Sequence, residues 1–130
     1  MKESLDKYNK FHKLIIRYSL TKLFIKNKKH SFLKLMLNKN ITIYQAFDIF
    51  LEYQEEIDKA INNYRIINKI LGSLNKKELY IIKAYVIKNK TCEEVSNYLG
   101  LTQRTFFRRY SKLVDNFMMK FAQEKSINTK

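Results

Sequence analysis

Proline is absent from the 130 residues, and glycine occurs only at Gly72 and Gly100. Strands joined by tight turns need more of both, so the chain reads as long helices with few turns. A single cysteine, Cys92, can form no internal disulfide and suits a reducing cytoplasm. After the opening MKESLDKYNK no apolar run is long enough for a signal peptide or a spanning helix, so a membrane partner is not expected. Glycine-rich phosphate loops, a Ser-His-Asp set and cysteine pairs are all missing, so neither an enzyme nor a cofactor is expected. His12 and His30 stand alone, without metal-ligand spacing, and read as surface histidines. Glu52, Glu55, Glu56 and Asp58 have no histidine beside them and read as the solvated flank of a helix.

What is present is hydrophobic enough to fold: 45% apolar residues, with nine Tyr and nine Phe. The net charge is +14, from 26 Lys and Arg against 12 Asp and Glu. A field of that size steers polyanions, nucleic acid first among them, with anionic membrane as the rival. Lys outnumbers Arg by 21 to 5, and the abundance of Lys, Ile, Asn, Tyr and Phe is what AT-rich codons produce. The few arginines therefore say more than the many lysines. Charge divides the chain into residues 1–40 at +9, 41–72 at −2 and 73–130 at +7.

The periodicity predicts an all-α chain: a helical bundle with a long central helix and a helix-turn-helix at the C-terminal end. Leu5, Tyr8, Phe11, Leu14 or Ile15, Tyr18 and Phe24 recur at helical spacing, which predicts a first helix over about 4–25. Lys26-Asn-Lys-Lys-His30 reads as a solvated loop, and the short apolar stretch from Ser31 to Leu37 as helix. This basic first part either packs on its neighbours, the plainer reading, or lies on a membrane surface. Thr42 is a candidate N-cap for a helix ending near Leu71. Its heptad positions are Ile43, Phe50, Ile57, Tyr64 and Leu71, alternating with Ala46, Tyr53, Ala60 and Ile67. That stripe can pack on the chain's own first helix or form a homodimer seam through helix 42–71. Gly72 fits the left-handed position that ends such a helix. The domain reading is thus residues 1–72, then 73–123, with 124–130 as a tail.

Residues 74–113 carry the most specific pattern. Asn75 can cap a helix over Lys76–Ile87, with Leu79, Ile82, Ala84 or Tyr85, and Val86 on its apolar face. Lys88-Asn89-Lys90 breaks it, and Thr91 with Glu94 forms a capping-box pair for a short helix Cys92–Leu99. The dipole at that helix start could lower the Cys92 thiol pKa, although an inert small residue is the plainer reading. Small Ser96 permits close helix approach, Gly100 permits a sharp turn, Leu101 plugs it, and Thr102 caps a last helix from Gln103 to about Ala122. Phe106, Tyr110, Leu113 and Phe117 of that helix face the core. Gln103, Arg104, Phe107, Arg108 and Lys112 share its outer face.

The run Leu71, Leu74, Glu78, Ile81/Ile82, Tyr85, then Thr91-x-x-Glu94-Val95-Ser96-x-x-Leu99-Gly100-Leu101-Thr102-x-x-Thr105-Phe106 resembles the DNA-binding region 4 of sigma-70 factors. The continuation from Thr102 through Phe117 to Phe121-Ala122 resembles the ArpU-type phage transcriptional regulators. The likeness covers about 50 residues. Ser96 stands where that family usually has alanine, and nothing in the first 70 residues resembles the sigma region that melts promoters. The resemblance implies a helix-turn-helix regulator of duplex DNA, of phage or mobile-element type, and contact with RNA polymerase. A divergent alternative sigma factor, or a helical module for RNA or protein, are the alternatives.

The candidate DNA-binding residues are Thr102, Gln103, Arg104, Thr105, Phe107, Arg108, Arg109 and Lys112, with Lys90 in the preceding turn. Gln can bond adenine bidentately and Arg can bond guanine, while Lys or Arg can hold phosphate. Three of the five arginines fall on this one helix, which favours bidentate contact over a merely solvated face. Arg109 is expected nearer the core side. Phe107 is either a wedge at the core edge or a contact for a thymine methyl. Lys76, Lys77, Lys88 and Lys90 are candidates for phosphate contact.

Overall fold

The computed structural model describes residues 2–128, with side chains described from Asp6 to Ile127. These residues are helical, joined by short turns, and contain no strand. The helices are α1 (Lys2–Ser19), α2 (Thr21–Met36), α3 (Ile43–Gly72), α4 (Lys76–Ile81) continued by a π-helical segment (Ile82–Ile87), α5 (Cys92–Leu99) and α6 (Gln103–Asn128). None is long and apolar enough to cross a membrane.

Two compact units result. The larger joins the chain up to Ser19 with everything from Ile66 on; the smaller is Leu20–Arg65. The division therefore falls elsewhere than at residue 72, because α1 and the last turns of α3 share the core of the C-terminal half. Phe11 and Ile15 of α1 are fully buried with Ile66, Ile67, Ile70, Val95, Phe106, Val114 and Phe117. Phe11 meets the Phe117 ring edge-on at 5.1 Å and Tyr110 at 6.1 Å. Tyr18 of α1 donates its hydroxyl to Asn68 of α3, and Lys69 reaches Glu124 of α6 at 2.9 Å. That last pair belongs to the region expected as a tail, where α6 instead continues to Asn128.

Several local expectations are corrected. The first helix stops at Ser19, whose hydroxyl donates back to the Ile16 carbonyl at 2.7 Å. Such back-bonding competes with the regular helix ladder, and Leu20 leaves it at φ −102°, ψ 5°. The stretch 26–30 is not a loop but the middle of α2. Lysine is a good helix former, and Lys28 is anchored to Glu56 at 2.6 Å. Gly72 takes no left-handed conformation; it is the last residue of α3, and Ser73 closes the helix by donating both N–H and hydroxyl to the Ile70 carbonyl. Leu5 lies outside the described side chains.

The helix predicted over 76–87 starts as expected from Asn75, whose side chain accepts from the Glu78 N–H at 2.8 Å while Glu78 accepts from the Asn75 N–H. From Ile82 it widens, with the Lys88 N–H donating five residues back to Lys83. At about 100° per residue a regular helix keeps Ile82 and Val86 on one face and turns Ala84 to the far side. All three are buried, and Leu79, expected on that apolar face, is exposed.

The smaller unit is an antiparallel hairpin of α2 and the first six turns of α3. Thr42 and Gln45 cap α3 reciprocally, each side chain accepting from the other's N–H at 3.1 and 3.0 Å. Phe32 stacks on Tyr53 at 4.3 Å, and Lys28 pairs with Glu56. The heptad positions Ala46, Tyr53, Ile57 and Ala60 are partly covered, Ile67 is buried in the larger unit, and Ile43 is almost wholly exposed.

Phe11→Ala is expected to destabilise the chain by about 3–5 kcal/mol, as loss of a fully buried aromatic ring does. Urea melts followed by circular dichroism would measure it. A midpoint equal to that of the parent chain would show that α1 is an appendage and not part of the core.

Candidate nucleic-acid interface

The candidate site grows from the turn between α5 and α6. Thr91 caps α5 by accepting from the Glu94 N–H at 3.1 Å. Ser96 is buried, and its hydroxyl donates to the Glu93 carbonyl. Gly100 sits at φ +70°, ψ 31°, and the Leu101 N–H returns to the Ser96 carbonyl at 2.9 Å. A Cβ on Gly100 would meet nothing within 4 Å, so only its backbone conformation requires glycine.

Thr102 and Thr105 are occupied in holding the start of α6. The Thr102 hydroxyl accepts from the Thr105 N–H at 3.1 Å and donates to the Thr105 hydroxyl at 2.9 Å. Both side chains thus fix the start of the helix. Gln103, Arg104, Arg108, Arg109 and Lys112 are exposed. Helical geometry places Arg104, Arg108 and Lys112 along one arc, each about 40° around from the last. Arg109 is exposed too, contrary to the core-side expectation, and lies about 100° around from Arg108. Arg104, Arg108, Arg109, Lys112 and Lys90 take part in no ion pair among the described residues. An arginine with no carboxylate beside it keeps all its donors for another partner.

Lys90 is exposed in the turn before α5, its N–H donating to the Ala84 carbonyl at 2.9 Å. Beside it Asn89 adopts φ 58°, a left-handed conformation that asparagine tolerates better than most residues. Phe107 is half exposed, its ring 5.6 Å from Phe106. It lines a cleft of about 470 Å³ together with Asn89 and with Tyr8, Asn9 and His12 of α1. Nothing in the first 40 residues pointed to this face, because contacts across about a hundred residues leave no local pattern.

α1 also sets how far the exposed face of α6 extends. Lys7 pairs with Asp115 at 2.7 Å and reaches the Ser111 hydroxyl at 3.4 Å. The Asp115 carboxylate beside it holds the Lys7 ammonium above its ordinary pKa. The open part of α6 is thus its first two to three turns. Burial pushes the Cys92 thiol pKa up, the reverse of the activation that its place at a helix start could bring. Of the acidic residues on α3, Glu56 is bound to Lys28 and Glu55 to Lys59 at 3.3 Å.

Gly100→Ala is expected to cost about 1–2 kcal/mol through the left-handed backbone alone, and Gly100→Asn clearly less. Equal losses in urea melts would contradict the geometry of this turn. No protein-family model, no curated protein and no solved structure matches the chain.

Proposed function

We propose that the chain is a sequence-specific DNA-binding transcriptional regulator, of the phage or mobile-element kind that its resemblance implies. In this reading α5, the Gly100 turn and α6 form a helix-turn-helix, and the first turns of α6 lie in the major groove. The observation that carries it is the arc of Arg104, Arg108 and Lys112, exposed and free of ion pairs at the open end of α6. Gln103 and Arg104 lead into the groove and read base edges, Arg108 continues the same line, and Lys112 holds phosphate. Lys90 and Lys88 approach the backbone from the turn before α5, and Arg109 reaches phosphate from the flank. Phe107 offers an apolar edge beside the arginines, suited to a thymine methyl. The net charge of +14 supplies the sequence-independent attraction that brings the chain to DNA.

Selection from a random duplex library, followed by binding titrations, tests the reading. Arg104→Ala and Arg108→Ala should each weaken the selected site by about 1–3 kcal/mol and relax preference at one position. Lys90→Ala should weaken all sequences alike and lower the salt dependence by about one phosphate contact. Selection that enriches no sequence, or full affinity in both arginine variants, would refute the assignment.

A further inference from the structure

The cleft between α1, the π-helical segment and α6 joins aromatic walls to neutral polar edges. Four of its eight lining residues are aromatic, Tyr8, Tyr85, Phe107 and Tyr110, and three carry amide or imidazole side chains, Asn9, His12 and Asn89. None carries a carboxylate, an ammonium or a guanidinium. Its volume of about 470 Å³ falls within the range of small-ligand pockets, roughly 300–1,000 Å³.

Two hydroxyls in this cleft have unspent capacity. Tyr110 is only 7% exposed, and its ring is engaged by Tyr8 at 5.5 Å, by Tyr85 edge-on at 5.1 Å and by Phe106. Its hydroxyl nevertheless makes no hydrogen bond among the described residues, and neither does that of Tyr85. No wholly enclosed side-chain oxygen among those residues goes without a partner, so both hydroxyls reach open space, and both residues line this cleft. A nearly buried polar group without a protein partner is met by water or by a ligand. Burial holds both phenols above their ordinary pKa, so each keeps its proton and can donate as well as accept.

We infer that this cleft binds a nucleobase, with the phosphate of the same nucleotide on the rim. A base is a planar ring that stacks on aromatic side chains and carries donors and acceptors along its edges. Phe107, 48% exposed, offers an uncovered ring on the α6 side. The phenols, the carboxamides of Asn9 and Asn89 and the His12 imidazole supply donors and acceptors for the edges. Phosphate is held by ammonium and guanidinium groups, and these stand outside the cleft. Lys10, Lys13, Lys88, Lys90 and Arg108 are exposed and each is next in sequence to a lining residue, whereas no acid occupies such a position. The base belongs either to a free nucleotide or to an unpaired position in a strand. The inference does not rest on the duplex reading, since a free nucleotide fills the cleft whether or not α6 enters a groove.

Proton–nitrogen NMR titration of the full chain with the four deoxynucleoside monophosphates tests it. At least one should bind saturably and shift the side-chain amide signals of Asn9 and Asn89, whereas deoxyribose 5-phosphate, which lacks the base, should not. Tyr110→Phe keeps the ring and its packing, removes only the hydroxyl, and should weaken binding about two- to tenfold. Asn9→Ala with His12→Ala, both at exposed positions, should weaken it at least as much with the helical circular dichroism retained. A duplex with one unpaired base separates the two sources. Tighter binding than to the same duplex fully paired, lost in Asn9→Ala with His12→Ala, assigns the base to a strand. Equal binding of the two duplexes beside saturable mononucleotide binding assigns a free nucleotide. Three results would overturn the inference: Asn9 and Asn89 signals unmoved by every probe, deoxyribose 5-phosphate shifting them as strongly as the nucleotides, or full affinity in both variants.

Discussion

Tyr110 is where three distant stretches of chain meet. Its ring stacks on Tyr8 of α1 at 5.5 Å, meets Tyr85 of the π-helical segment edge-on at 5.1 Å, and lies parallel to Phe106 one turn back on α6. Each aromatic pair adds about 0.5–1.5 kcal/mol beyond the area it buries. More important here is direction. Rings that pack edge-on and face-on hold α1, the π segment and α6 in one mutual orientation, which fixes the direction in which α6 starts. Burial raises the pKa of the Tyr110 and Tyr85 phenols, which keeps this junction uncharged well above neutral pH.

From that junction follows the division of α6 into a held part and an open part. Beyond Tyr110 the helix is lined by α1 on one flank, where Lys7 meets Ser111 and Asp115, and tied to α3 through Glu124 and Lys69. Before it, Arg104 and Arg108 meet no carboxylate among the described residues, and the helix end is secured by Thr102 and Thr105. The proposed DNA reading would need both conditions: rigidity from below, so that groups are placed before the ligand arrives, and donors not already spent within the protein.

The hairpin follows the opposite logic. It has local order, with a reciprocal cap at Thr42, a ring stack at Phe32 and Tyr53 and an ion pair at Lys28, but no enclosed apolar volume. Packing in the larger unit is satisfied within one chain. In the hairpin large apolar side chains stay exposed.

Features that depend on neighbours in sequence were legible in it. Capping by Thr42, Asn75, Thr91 and Thr102 is a matter of one side chain three residues from an N–H, and Gly100 is required by a single dihedral. The exposed line of Arg104, Arg108 and Lys112 likewise follows from helical spacing alone. The stretch 26–30 misled because a run of lysines looks alike in a loop and on the wet face of a helix. The partner of each apolar stripe was not legible, because periodicity says that a face is buried and never against what. Tertiary structure alone decided that α1 joins the C-terminal core beside Phe107, that residues 82–87 widen into a π-helical segment, and that α2 covers the α3 seam. Those outcomes rest on contacts between residues far apart in the chain, whose energies are decided by packing in three dimensions.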